Sequence, residues 1–142
     1  MTVLTEPGRF LLVEDSEPGA ELMKIAFAER LPGAELEICD DGDAALERLE
    51  RGELPDVVLL DLNLPGIAGH DVLAAIRSAA QAEKRRLPVI VLTHSEDADD
   101  VRRSYDLGAN THIAKPHSLD ELFEIVDGIG RYWLNVATLP PA

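Results

Sequence analysis

The sequence predicts a doubly wound α/β fold in three layers, with five parallel strands sandwiched between helices. Two observations carry this. Short apolar runs recur between longer amphipathic stretches, and three of the runs are continuous rather than alternating, as expected of parallel strands covered on both faces. The order strand–helix then repeats five times, and successive βα units favour right-handed crossovers into one parallel sheet.

The first strand is Phe10-Leu11-Leu12-Val13. Met23, Ala26, Phe27 and Leu31 follow at i, i+3, i+4 and i+8, the apolar face of a helix. Leu36-Glu37-Ile38-Cys39 is a more polar strand suited to a sheet edge, and Ala45, Leu46 and Leu49 mark a shorter helix. Val57-Val58-Leu59-Leu60 is the third strand, followed by the helical stripe Val72, Ala75, Ile76 and Ala79. Val89-Ile90-Val91-Leu92 is the fourth, and Ala98, Val101 and Tyr105 form a thin stripe that Gly108 is placed to stop. Thr111-His112-Ile113-Ala114 is polar enough for the other edge. Leu119, Leu122, Phe123, Val126, Ile129 and Trp133 make the longest stripe, with Ser118 as N-cap, Glu121 completing a capping box, and Gly128 and Gly130 weakening its end. Residues 9–129 therefore read as one domain and 130–142 as a C-terminal extension. Met1–Gly8 and Thr138–Ala142 are expected to be loosely held.

The 142 residues suffice for one substantial core, and 46% hydrophobic with 28% charged residues is a globular composition. Lys and Arg number 13 against 27 Asp and Glu, a net charge of −14 that opposes nonspecific attraction to nucleic acid or to anionic membrane. Cys39 is the sole cysteine, so no internal disulfide can form, and it is expected in the core. No apolar run approaches the ~18 residues of a spanning helix, and Met1–Arg9 lacks an apolar signal stretch. A cytoplasmic protein is expected.

In an open α/β sheet, ligands bind beyond the carboxyl ends of the strands. Glu14 and Asp15 follow the first apolar run, Asp61 the third, Thr93 the fourth, and Lys115-Pro116 the fifth. Singly, such residues cap helices or start turns. Jointly they are harder to dismiss, because carboxylates at ~5 Å repel by about 3 kcal/mol per pair at an effective dielectric of ~20. A bound cation relieves that repulsion, and all-oxygen ligation points to Mg²⁺. No GxxxxGK[ST] loop, GxGxxG turn or GxSxG elbow is present. What remains is a carboxylate beside Mg²⁺, with a lysine and a hydroxyl to grip phosphoryl oxygens, which suits phosphoryl transfer onto the carboxylate.

These stretches resemble the receiver domain of two-component response regulators, a flavodoxin-like (βα)5 fold. The matching pieces are Leu12-Val13-Glu14-Asp15, Leu60-Asp61-Leu62-Asn63-Leu64-Pro65-Gly66, Val91-Leu92-Thr93 and Ala114-Lys115-Pro116, with Gly69 and Gly108-Ala109 also in place. The resemblance implies that Asp61 is the phosphoacceptor, supplied by a histidine kinase. It implies that Glu14, Asp15, Asp61 and the Asn63 carbonyl hold Mg²⁺, with Asp15 the more direct ligand and Glu14 acting through water. Lys115 would pair with Asp61 and then with the phosphoryl group, onto which Thr93 would move its hydroxyl. A cis Lys115–Pro116 bond is also implied. The output is then a changed protein-interaction surface, with slow self-dephosphorylation and no independent substrate.

Some positions depart from the family pattern. His112 stands where the family places a rotating Tyr or Phe switch residue, and His94 is bulkier than the usual neighbour of Thr93. Asn63 and Ser95 occupy the positions that tune dephosphorylation in the family. The acid run Glu96, Asp97, Asp99 and Asp100 is expected to favour a helix N-terminus. Glu83-Lys84-Arg85-Arg86 is expected to be a solvated loop tip. The chain after Lys115 is one helix and a tail, too short for a helix-turn-helix output domain. The tail resembles that of stand-alone receivers paired with phytochrome-type histidine kinases, which implies a homodimer through Tyr132, Trp133 and Leu134. The competing function is an Mg²⁺-dependent phosphohydrolase with an aspartyl-phosphate intermediate. Enzymes of that kind usually need a second acid two residues after the nucleophile, where this chain has Asn63.

Overall fold

The structure is a computed structural model that describes residues 8–141. The expectation for Met1–Gly8 therefore falls outside the described residues except at Gly8, which is buried. Among the described residues, the strands are β1 (Arg9–Val13), β2 (Glu35–Cys39), β3 (Val57–Leu60), β4 (Val89–Thr93) and β5 (Thr111–Ala114). They form one parallel sheet in the order β2-β1-β3-β4-β5, which puts the two polar strands at the edges as their sequences predict. The helices are α1 (Glu17–Arg30), α2 (Gly42–Glu50), α3 (Gly69–Arg77), α4 (Ala82–Arg85), α5 (Ala98–Asp106) and α6 (Leu119–Gly130), with a π-helical turn at Arg131–Val136.

The continuous apolar runs are explained by the alternation of side chains across a two-sided sheet. Leu11, Val13, Val58, Leu60, Val89 and Val91 face one layer with Ala45 and Leu49 of α2 and Val72, Leu73 and Ile76 of α3. Phe10, Leu12, Val57, Leu59, Ile90 and Leu92 face the other with α1 and α6, where Phe10 and Phe27 meet edge to face at 5.0 Å. Caps fix where the helices start. Ser16 accepts from Gly19 N at 3.1 Å, and Ser118 accepts from Glu121 N at 3.2 Å. Asp97 opens α5, where it accepts from Asp99 N at 3.2 Å.

Four expectations need correction. The basic cluster is not a solvated tip: Glu83, Lys84 and Arg85 lie in α4, and Lys84 is buried with its ammonium 2.6 Å from Glu50. The stem of Lys84 lines a groove with Leu46, Leu49 and Ile76, so an aliphatic chain covers apolar surface while its charge finds a carboxylate. On α5 the buried residue is Ser104, while Tyr105 of the expected apolar stripe is 48% exposed. Ser104 meets the His70 and His112 rings there. The tail is not loose throughout, because Leu139 packs against the α1–α6 side of the core together with Trp133 and Leu134. Lastly, every peptide bond among the described residues is trans, including Lys115–Pro116, and trans is the lower-energy isomer of an X–Pro bond.

One side chain ties the lower end of the molecule together. Arg77, the last residue of α3, donates to Gly108 O at 2.8 Å, Arg85 O at 2.9 Å, Leu87 O at 2.7 Å and Asn110 Oδ1 at 3.1 Å. Asn110 Oδ1 also accepts from Val89 N at 2.8 Å. The chain entering β4 and the chain entering β5 are thereby fixed to one guanidinium. Gly108 meets it with φ +99, a left-handed conformation that glycine adopts without strain.

Candidate functional site

The strand order reverses at β1, where β2 lies on one side and β3 on the other, and the crevice beyond such a reversal is where open α/β sheets hold ligands. Glu14 and Asp15 leave β1 there, and Asp61 leaves β3. The ladder runs on past the strand ends to fix them: Glu14 N donates to Cys39 O at 3.0 Å, and Asp61 N to Val13 O at 3.1 Å. Lys115 N likewise donates to Thr93 O at 2.7 Å. The backbone therefore delivers Glu14, Asp61, Thr93 and Lys115 to one level of the sheet.

Their side chains meet. Lys115 Nζ lies 2.8 Å from Asp61 Oδ2 and is also bonded to Glu14 Oε1. Thr93, fully buried, donates its hydroxyl to Asp61 Oδ1 at 3.0 Å, and Asn63 N donates to the same oxygen at 3.0 Å. Two of these contacts go beyond the sequence reading. Lys115 is shared between Glu14 and Asp61 rather than dedicated to Asp61, and the Thr93 hydroxyl is already on the unmodified carboxylate.

One ammonium cannot neutralise two carboxylates, and the proton affinities divide accordingly. Burial works to raise the Asp61 pKa, but the hydrogen bonds from Lys115 and from the Asn63 N–H outweigh it and hold Asp61 below the ordinary carboxylate range. For Glu14 burial dominates, the Lys115 hydrogen bond offsets it only in part, and the pKa is raised. Burial also works to lower the Lys115 pKa, yet the bonds to Asp61 and Glu14 raise it on balance. Asp61 is thus ionised at neutral pH beside a charged lysine.

Glu14, Asp15 and Asp61 each offer an oxygen within 4.8 Å of the others. Three carboxylates share the single adjoining cation Lys115, and hard oxygen donors of this kind suit a divalent cation. Asp15 is exposed, while Glu14 and Asp61 are buried. Gly19 makes room for Glu14, since a β-carbon there would stand 3.0 Å from Glu14 Oε1. The cluster opens into a cleft of about 490 Å³ whose lining includes Asn63, His94, Pro116 and His117. Apolar Leu22, Met23, Leu119 and Leu122 extend that lining away from the acids. His117 was not singled out from the sequence, where a lone histidine after Lys-Pro carries no pattern.

Away from the acids, Ser95 Oγ lies 2.5 Å from Asp100 Oδ2, and His112 is half-buried. Cys39 packs at the margin of the core, where burial raises its thiol pKa. On the C-terminal turn Tyr132 is 52% exposed, whereas Trp133 and Leu134 are half-buried against their own core.

Known proteins resemble this chain in sequence and fold. The response regulator receiver domain family matches residues 10–127. Response regulator Rcp1 of Synechocystis sp. is 41% identical over 142 residues, covering 96% of this chain and 95% of Rcp1. The crystal structure of the phosphorylated cyanobacterial phytochrome response regulator RcpA superimposes with a TM-score of 0.87 at 39% identity, covering 95% of this chain and 99% of that one. The Mn²⁺-bound form of Rcp1 gives a TM-score of 0.84 at 40% identity, over 95% of this chain and all (100%) of its own. The match runs from the first strand into the last helix, and the phosphorylated and metal-bound relatives share its fold. The chain therefore belongs to the response regulator receiver domain family.

Proposed function

We propose that the protein is a phosphorylation-driven relay in which Asp61 accepts a phosphoryl group from a phosphohistidine of a sensor kinase. The carboxylate oxygen bonds to phosphorus as the P–N bond breaks and the imidazole leaves. The observation that carries this is an ionised, buried Asp61 fixed by Lys115 and Thr93 beside two further carboxylates. Lys115 and the Thr93 hydroxyl, already on the two Asp61 oxygens, are placed to follow the added charge. Glu14, Asp15, Asp61 and the Asn63 carbonyl would hold Mg²⁺, which when bound would supply positive charge to offset the developing phosphoryl charge. Reorientation of Thr93 and Lys115 pulls on the loops after β4 and β5, so the surface of α5, β5 and α6 changes and a protein partner reads it. The phosphoryl group leaves by slow self-hydrolysis, without turnover of a separate substrate.

Intact-mass measurement after incubation with acetyl phosphate and Mg²⁺ tests this. One added phosphoryl group is expected on the unsubstituted protein and none on Asp61→Asn. No addition to the unsubstituted protein, under conditions where it demonstrably binds Mg²⁺, overturns the reading.

The likeness to Rcp1 and RcpA supports a phytochrome-type kinase as the donor, acting in the cytoplasm. We further propose a homodimer through the C-terminal turn, where Tyr132 and Val136 are 52% and 66% exposed. Because Trp133, Leu134 and Leu139 pack on their own core, removing the tail would test folding as much as assembly. Tyr132→Asp with Val136→Asp is the cleaner change. Light scattering should show a dimer that becomes monomeric on substitution, and a monomer in both forms removes the proposal.

Glu14→Gln separates stability from metal binding. A carboxyl whose folded pKa is raised destabilises the fold above that pKa, and the penalty fades as pH falls from the folded value to the unfolded one near ~4.3, below which it is gone. The metal-free variant is therefore expected to gain stability in urea unfolding at neutral pH and nothing near pH ~4. Its divalent-cation affinity should fall about tenfold.

A further inference from the structure

A buried polar chain lies behind β5, apart from the acid cluster. Ser104 of α5 is completely buried, and its Oγ lies 3.1 Å from His70 Nε2 of α3 and 3.0 Å from His112 Nδ1 of β5. The other ring nitrogen of His112, Nε2, lies 3.0 Å from Ser95 O, in the loop that leaves Thr93 for α5. Four segments thus converge on two rings and one hydroxyl.

Proton counting fixes the direction of the bonds. A carbonyl only accepts, so His112 Nε2 carries a hydrogen. If the ring is neutral, Nδ1 is bare and must accept from the single Ser104 hydroxyl proton. Ser104 Oγ can then only accept from His70, whose Nε2 must be the protonated nitrogen. Burial and the Arg103 charge hold the His70 pKa low against the opposing pull of Asp100, so that ring is neutral at pH 7 with its one proton on Nε2. The chain reads His70 Nε2–H to Ser104 Oγ–H to His112 Nδ1, and His112 Nε2–H to Ser95 O. The competing acceptor for Ser104 is Asp100 O at 2.9 Å, and using it obliges His112 to bring a second proton. Under either count both nitrogens of His112 are occupied.

We propose that Ser104, with His70 behind it, is a positioning residue that seats the His112 ring inward. Through Ser95 O the seated ring holds the loop that keeps the Thr93 hydroxyl on Asp61. Here the ring is pinned at two points on two elements, so leaving the seat breaks both bonds. The consequence for Thr93 rests on the reading of Asp61 as phosphoacceptor; the seat itself does not.

Long-range ¹⁵N–¹H spectra of the histidine rings in the full chain test the seat. The unmodified protein should show one fixed His112 ring form with a slowly exchanging Nε2–H. Ser104→Ala, a mild change in a helix, should give an averaged ring, and Ser104→Thr should restore the fixed form. An averaged ring in the unsubstituted protein, or an unchanged ring in Ser104→Ala, overturns the proposal. For the coupling, Ser104→Ala should accept a phosphoryl group from acetyl phosphate about fivefold more slowly, with Mn²⁺ affinity unchanged because Ser104 touches none of the three carboxylates. Equal rates, or a parallel loss of Mn²⁺ affinity, overturn the coupling. No uptake by the unsubstituted protein overturns the acceptor reading and the coupling with it, while the ring spectra still decide the seat.

Discussion

Lys115→Met is expected to cost about 3–5 kcal/mol at neutral pH in the metal-free protein, because it leaves Glu14 and Asp61 facing each other in the interior without their cation. The dependence on pH distinguishes this from lost packing. In the unsubstituted protein, Asp61 has a folded pKa below its unfolded one, so its stabilising contribution is complete above the unfolded value near ~3.9 and is lost as pH falls through the folded value. Lys115 has a raised folded pKa, so its contribution is present below the unfolded value near ~10.4 and is lost as pH rises through the folded one. Across neutral pH both are in force, and the substitution removes both. Below about pH 4 the carboxyls of the variant are protonated and the deficit should shrink to the loss of one ammonium's contacts. Urea unfolding at several pH values, with and without Mg²⁺, measures this. Mg²⁺ should stabilise the variant more than the unsubstituted protein. A deficit that stays constant with pH would show that charge is not its cause.

Gly69→Ala is expected to disable the site without touching any of its side chains. The first residue of α3 lies on the backbone that carries Asp61: Gly69 N donates to Leu62 O at 3.1 Å, and a β-carbon would stand 2.6 Å from Leu62 Cα and closer still to Asp61 O. Backbone cannot swing aside as a side chain does, so either α3 or the loop after β3 must shift. Overpacking of this kind costs about 1–3 kcal/mol or more. A displacement near ~1 Å at the acceptor costs about a hundredfold in the rate of phosphoryl uptake. Gly128, around which a β-carbon meets nothing within 4 Å, is the control. Alanine there should leave uptake unchanged and stabilise α6 by about 0.5–1 kcal/mol. Chemical unfolding and intact-mass time courses on both variants check the pair, and equal uptake in the two would refute the steric argument.

The sheet was legible in the sequence because its signal is local. Val57-Val58-Leu59-Leu60 needs cover on both faces, Leu36-Glu37-Ile38-Cys39 does not, and the strand order follows those requirements. The acids, Thr93 and Lys115 were legible because each directly follows a strand, and the carboxyl ends of parallel strands converge. Hydrophobic patterning is silent where polar groups pack on one another. Ser104 reads as a surface residue of a polar helix, yet it is completely buried because His70 and His112 supply the partners that water would otherwise provide. A helix of four residues such as α4 is too short to show any period. The sharing of Lys115 between Glu14 and Asp61 is likewise invisible, since sequence position fixes where a side chain starts and not which of two carboxylates it reaches.

The four acceptors gathered by Arg77 have a mechanical consequence. They lie at the end of the sheet opposite Asp61, where β4 and β5 begin, and they join that end to the foot of α3. The root of each of these strands is clamped there, while its tip is tied to the site, through Lys115 N to Thr93 O and the Thr93 hydroxyl to Asp61. Thr93 sits on one tip and Lys115 just beyond the other, so a tug from Asp61 bends the tips without sliding the strands. Movement driven from Asp61 is therefore expected to be largest in the loops leaving β4 and β5, beside α5 and α6, and smallest at the Arg77 clamp.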